Sequence, residues 1–282
     1  MRLFCCQLAG ELVKLLARKR TYIGFAAFLG AEIVILILLH LDISKASIRK
    51  VLVANGYLFE DYYSALTLSL SIVIVSVLLL GGLYLALVSG DIVAKEVEEG
   101  NLRLVLCRPI TRLRLLAVKY TACVIYTFVL VAFIALTALI VGLFERGWGG
   151  GLFVYAKEEN LFSLFEFEEG MLRYLAGIPL LALSLVTVSS IGFMLSCMRM
   201  KPAAATIVTL TILFIDMVLR HMPWFANFQH LFLTARTAVW SQIFQPYIPW
   251  PLMLESYAIL MAINATCFVV GWWVFEGRDF KT

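Results

Sequence analysis

The sequence predicts an all-α integral membrane protein, with six transmembrane helices preceded by an N-terminal interfacial helix. Three observations predict it. Hydrophobic residues make up 62% of the 282 and charged residues 15%, against roughly 45–50% and about 25% in an ordinary soluble domain, and mean hydropathy is +0.93. The apolar excess falls in uninterrupted runs near residues 21–41, 65–88, 120–144, 174–198, 202–219 and 256–275, each long enough to cross roughly 30 Å of hydrocarbon. Only Glu32 and Asp216 are charged inside these runs, so each segment is expected to be a helix that satisfies its own backbone hydrogen bonds. Little chain is left for a soluble domain, which excludes soluble enzyme folds. The net charge of +4 is too small to point to nucleic acid, and no nucleic-acid partner is expected.

Residues 1–20 form a basic leader with Arg2, Lys14, Arg18, Lys19 and Arg20. The apolar stretch behind it is too long for a signal peptide and no A-x-A-like site follows, so the N-terminus is expected to be retained. On a helical wheel Phe4, Leu8, Leu12, Leu15 and Leu16 share one face while Gln7, Glu11, Lys14 and Arg18 share another, the pattern of a helix lying in the membrane interface. Residues 21–282 are then a single six-helix membrane domain.

Orientation follows from Lys and Arg in the connections, which resist translocation. The termini, residues 89–119 and the short connection near 200 together carry 15 basic residues. The other face carries eight, spread over longer loops. Both termini are therefore expected in the cytoplasm, with the chain multi-pass in the cell (inner) membrane.

Residues 94–119, AKEVEEGNLRLVLCRPITRLRLLAVK, leave the membrane, concentrate charge and re-enter. Glu96, Glu98 and Glu99 run to a helix stop at Gly100. Leu102, Val105 and Leu106 at helical spacing form a short amphipathic helix closed by Pro109, and basic residues lead into the third span. A compact element with an acidic and a basic end suits docking to a soluble partner.

This connection resembles that of ABC transporter permease subunits of the ABC-2 type. In those exporter-like proteins an acidic E-x-E-x-G-T-L segment is followed by a Pro and then by an Arg and a Lys entering the third span. The matching positions are Glu96, Glu98, Gly100, Leu102, Pro109, Arg112 and Lys119, with Asn101 where Thr is usual. The six-span layout is similar too, as is the F-x-G-R-D-F ending at 275–280. The resemblance implies a type V exporter-like architecture that pairs with a second copy or a paralogue above two ATPase subunits. Residues 94–119 would be the coupling helix, with Glu96, Glu98, Glu99, Gly100, Asn101, Leu102, Pro109 and Arg112 as the partner-binding set. Reversing the charges at Glu96 and Glu98 would uncouple the ATPase and leave the chain folded.

The outer loops are read from composition. Residues 144–170 are glycine-rich early and acidic late, the pattern of a flexible, solvated cap. Residues 220–255 combine Trp224, Phe225, Phe228, Phe232, Trp240, Phe244, Tyr247 and Trp250 with four prolines. They read as short helices dipping into the outer interface, either closing a pathway, as in the related permeases, or only anchoring the protein.

Chemistry of its own is not expected. There is no G-x-x-x-x-G-K-[ST] phosphate loop, and Asp216 has no second Asp in any span with which to form an intramembrane protease pair. Cys5, Cys6 and Cys107 are placed in the cytoplasm and Cys123, Cys197 and Cys267 within spans, so no disulfide framework is expected. His40, His221 and His230 show no ligand spacing, so no metal is expected. Asn264-Ala265-Thr266 matches a glycosylation acceptor but lies inside the last span. Glu32 and Asp216 are the candidate substrate-pathway residues, because an ionisable group in hydrocarbon is costly. The alternatives are a hydrogen-bonded interface carboxyl for Glu32 and an i,i+4 pairing with Arg220 for Asp216.

The leading reading is a permease subunit moving, in the export direction, an apolar or amphipathic substrate. It would not be an enzyme and would hold no cofactor, ATP and Mg²⁺ belonging to the partner ATPase. A self-sufficient channel or secondary transporter, and a membrane scaffold recruiting a cytoplasmic complex, are the alternatives.

Overall fold

The computed structural model describes residues 2–100, 102, 110–156 and 161–278. Helix α1 (Arg2–Ala17) meets α2 (Lys19–His40) at a one-residue corner. Arg18 is extended there, and the Thr21 hydroxyl donates to the Leu15 carbonyl at 2.5 Å across it. A short excursion follows, α3 (Asp42–Ala54) and α4 (Phe59–Tyr62). The next span has two parts, α5 (Ala65–Ser76) and α6 (Gly82–Glu98), joined by a π-helical turn at Val77–Gly81. Then come α7 (Arg112–Arg146), a hairpin of β1 (Leu152–Ala156) and β2 (Leu161–Phe165), α8 (Phe167–Cys197) and α9 (Pro202–Arg220). A 3-10 segment (Pro223–Leu231), α10 (Leu233–Thr237), a second 3-10 segment (Ala238–Phe244) and α11 (Trp250–Glu276) complete the fold.

Among the described residues six helical segments, 19–40, 65–98, 112–146, 167–197, 202–220 and 250–276, are long and apolar enough to cross a membrane. The chain is a multi-pass helical membrane protein. The helices outrun the apolar windows because their charged ends stay helical beyond the hydrocarbon: at 35 residues, α7 is about 50 Å long. Thr111 caps its start by accepting from the Arg114 amide, and Gly147, at φ +75°, ends it.

Packing divides the second span. Its half α5 lies against α2 and α7, with the Ser69 hydroxyl donating to the Ala138 carbonyl at 3.0 Å. Its half α6 lies chiefly against α8 and α9. A Cβ at Gly192 would collide with the Ser89 side chain, so α6 and α8 approach as only a glycine allows. The π-turn, which lets the halves face different neighbours, is invisible in a run of Val, Leu and Gly.

The end of the bundle opposite the termini adds a small β element to the helical fold where the sequence reads as a flexible, solvated cap. Residues 144–170 hold an antiparallel hairpin with Leu152 opposite Phe165 and Val154 opposite Ser163. Leu52, Phe59, Tyr63, Leu68 and Phe153 form a small second core around it. Leu152, Phe153 and Val154 are all buried, so β1 shows none of the inside-outside alternation by which a strand is read from sequence. Residues 220–255 form the expected short helices. The Arg173 guanidinium binds them to α8 by donating to the carbonyls of Ile243 at 2.7 Å and Gln245 at 2.5 Å.

Helix α1 also departs from its helical wheel. Leu15 is buried and Leu8 and Leu12 pack on the main core as the wheel places them, but Leu16 is exposed and Gln7 and Glu11, of the polar face, turn onto α7. Polar partners on α7 reverse the simple rule: Arg114 donates to the Gln7 side chain at 3.0 Å and Lys119 to Glu11 at 3.0 Å.

Candidate functional site

At the terminal end of the bundle α1, α6 and α7 converge on four charges. Lys119 is 0% exposed. Its ammonium lies 2.8 Å from Glu96 Oε2 and 3.0 Å from Glu11 Oε2, and it donates to the Ile92 carbonyl at 3.5 Å. Lys14, one turn beyond Glu11 on α1, lies 2.8 Å from Glu11 Oε1 and 3.8 Å from Glu96 Oε1. Two carboxylates and two ammonium groups thus close a neutral cluster. Burial pushes the Glu11 carboxyl up, but Lys119 and Lys14 outweigh it and hold the group below its ordinary value. Burial likewise pulls Lys14 down, yet the bond to Glu11 and the charges of Glu11 and Glu96 leave it raised. A second ion pair, Arg20 with the buried Asp91, joins α2 to α6 nearby.

The connection between α6 and α7 springs from this cluster. Glu99 caps α6 with its amide on the Lys95 carbonyl at 2.9 Å, and Gly100 takes φ +74°, so the expected helix stop is there. Glu98 and Glu99 are exposed, Leu102 is buried in the main core, and Glu96 at 6% exposed points inward. Asn101 and Pro109 lie outside the described residues, as do Val105 and Leu106 of the expected short helix. At the far side Arg112 donates to the carbonyls of Glu276 at 2.8 Å, Arg278 at 2.9 Å and Phe275 at 3.3 Å. Arg278 in turn donates to those of Met198 at 3.2 Å and Cys197 at 3.4 Å. Guanidinium groups thus neutralise the negative ends of α11 and α8. The start of α7 is thereby tied to the ends of both helices.

The two charges inside the spans stay apart, each with its own partners. Glu32 is fully buried on α2; its Oε1 accepts from the Thr137 hydroxyl of α7 at 2.8 Å and its Oε2 has no protein partner. Asp216 forms no ion pair with Arg220. Its carboxylate accepts from the backbone amides of Leu233 at 3.0 Å and Thr234 at 2.7 Å, capping α10 from another helix. Among the described residues no group of three or more His, Cys, Asp or Glu is placed to hold a metal ion.

Sequence reading missed the partners Glu11 and Lys14, the Arg20–Asp91 pair and the anchoring role of Arg173. Only for Glu11 was there a signal, a lone acidic residue on the polar face of a basic leader. A family model described as "Protein of unknown function (DUF2705)" matches residues 33–281. No curated protein matches the chain.

Proposed function

We propose, for a chain that belongs to the DUF2705 family of proteins of unknown function, the role of transmembrane permease subunit of an ATP-binding cassette transporter of the ABC-2 type. The carrying observation is the mounting of the 98–112 connection. One end rises from the Glu11–Lys14–Glu96–Lys119 cluster and the other is tied by Arg112 to the ends of α11 and, through Arg278, α8. A push delivered at the ends of this connection moves α1, α6 and α7 together. That is what coupling to an external motor requires.

In this reading the terminal end faces the cytoplasm of the cell membrane, Glu98 and Glu99 meet basic or amide groups on the ATPase, and the short helices after α9 cover the outer end. ATP and Mg²⁺ are held by the partner, this chain supplying no catalytic group. A second copy or a paralogue completes the membrane half. The substrate is apolar or amphipathic, since a multiply charged solute would find few counter-charges along the apolar runs, where Glu32 and Asp216 alone are charged.

Purification of the tagged chain from its native membrane tests the reading. Copurification of an ATP-binding subunit is expected. A chain that comes down alone and conducts solute unaided in vesicles would overturn it.

A further inference from the structure

Helix α8 carries a run of hydroxyl groups toward α7 and α11, most of them with protein partners. Toward α7, Ser190 bonds Tyr120 at 2.9 Å and Ser189 bonds Thr127 at 2.8 Å; toward α11, Ser184 donates to Tyr257 at 3.5 Å. Two residues break the pattern. The Thr187 hydroxyl and both polar atoms of the Asn264 amide are buried without a protein partner, in residues 0% and 3% exposed. Elsewhere in the spans hydroxyls such as Thr121 and Thr209 donate to the carbonyl four residues back; Thr187 does not. An unmet amide in a dry interior is costly enough that native proteins seldom keep one without a water or ligand to complete it.

The two residues share one level of the seam. Tyr257 donates to the Leu180 carbonyl at 3.0 Å, and Gly271 lies against Met194 and Cys197, so α8 and α11 run parallel. Thr187 is seven residues from both Leu180 and Met194, and Asn264 seven from both Tyr257 and Gly271. Seven residues is about two helical turns, which puts Thr187 and Asn264 midway on the facing stripes. Helix α11 keeps most of its length exposed at the edge of the bundle, so the seam can part along one side.

We propose that Thr187 and Asn264 form an intramembrane subsite for an uncharged hydroxyl or amide group of an amphipathic substrate, a reading that rests on the transport role above. The amide offers two donors and an acceptor and the threonine one of each. The seam's polar side chains carry no formal charge that would hold an ion.

The test uses the full chain in phosphatidylcholine nanodiscs with N-decylacetamide as the probe, read by thermal unfolding. The probe is expected to raise the unfolding temperature of the wild type, and Thr187→Val and Asn264→Leu each to weaken its apparent affinity about tenfold or more. Thr187→Val is nearly isosteric and keeps the test alive where Asn264→Leu fails to fold. An equal response in wild type and variants overturns the subsite. An unchanged response with Asn264→Leu less stable means ordered water alone fills the seam and also overturns it. No ATPase enters the assay, so its failure leaves the copurification result, and the permease reading, to stand or fall separately.

Discussion

Lys119 and Glu96, 23 positions apart in the sequence, form a buried ion pair at 2.8 Å where the second and third spans leave the hydrocarbon. Glu11 shares the same ammonium. Removing one member of a buried pair leaves its partner desolvated and uncompensated, at about 3–5 kcal/mol. Lys119→Met should therefore lower the thermal unfolding midpoint of the purified chain markedly, and adding Glu11→Gln and Glu96→Gln should recover most of the loss. Wild-type stability of the single variant would mean that the cluster is not a structural joint.

Glu96, Arg112 and Lys119 stood out in the sequence as positions of one motif, but their partners did not. A motif orders residues along the chain, whereas pairing depends on how helices cross. Glu96 reads as an outward acid until α1 brings Glu11 and Lys14 beside it. The spans were legible because hydropathy over some 20 residues is a strong, local signal. The hairpin at 152–165 and the π-turn at 77–81 were not, one being buried on both faces and the other differing from an α-helix only in bonds that span five residues instead of four.

The cluster makes stability depend on pH at both extremes. The Glu11 carboxyl is held below its ordinary value, so its contribution is present above the unfolded carboxylate range, about pH 4, and is lost as pH falls through the lower folded value. Lys14 is raised, so its contribution is full below the ordinary lysine range, about pH 10, and is lost as pH rises through the higher folded value. The contribution of these two groups should be constant between these limits. The gap between wild type and Glu11→Gln should close in acid, and a gap of constant size down to pH 3 would contradict the assignment.

Asp216 is predicted to matter away from its own helix. Its carboxylate caps α10 through the amides of Leu233 and Thr234, an arrangement whose loss costs about 0.5–2 kcal/mol in ordinary caps. Asp216→Ala should speed amide hydrogen exchange across residues 223–244 while α9 itself stays protected. Asp216→Asn, which keeps one acceptor oxygen, should fall between. Unchanged exchange in the alanine variant would show that the short helices are held by Arg173 and apolar packing alone.

The last prediction separates a structural acid from docking ones. Reversing Glu96 would set a third ammonium against Lys14 and Lys119, inside a cluster where Glu96 lies 2.8 Å from one of them and 3.8 Å from the other. Glu96→Lys should therefore destabilise the chain itself, whatever it binds, so reversing Glu96 together with Glu98 cannot isolate docking. Glu98 and Glu99 are exposed at the end of α6, where Glu99 lies 3.8 Å from Lys95 in a partly exposed pair. If they face basic groups on an ATPase, Glu98→Lys with Glu99→Lys should leave stability within about 1 kcal/mol of wild type, the usual limit for an exposed ion pair. The same double variant should abolish copurification of the ATP-binding subunit and transport-linked ATP turnover, since losing one side of an interfacial charge pair commonly costs about 2–5 kcal/mol. Normal copurification and normal turnover in that variant would remove the 98–112 connection as the coupling element, and with it the main support for a permease.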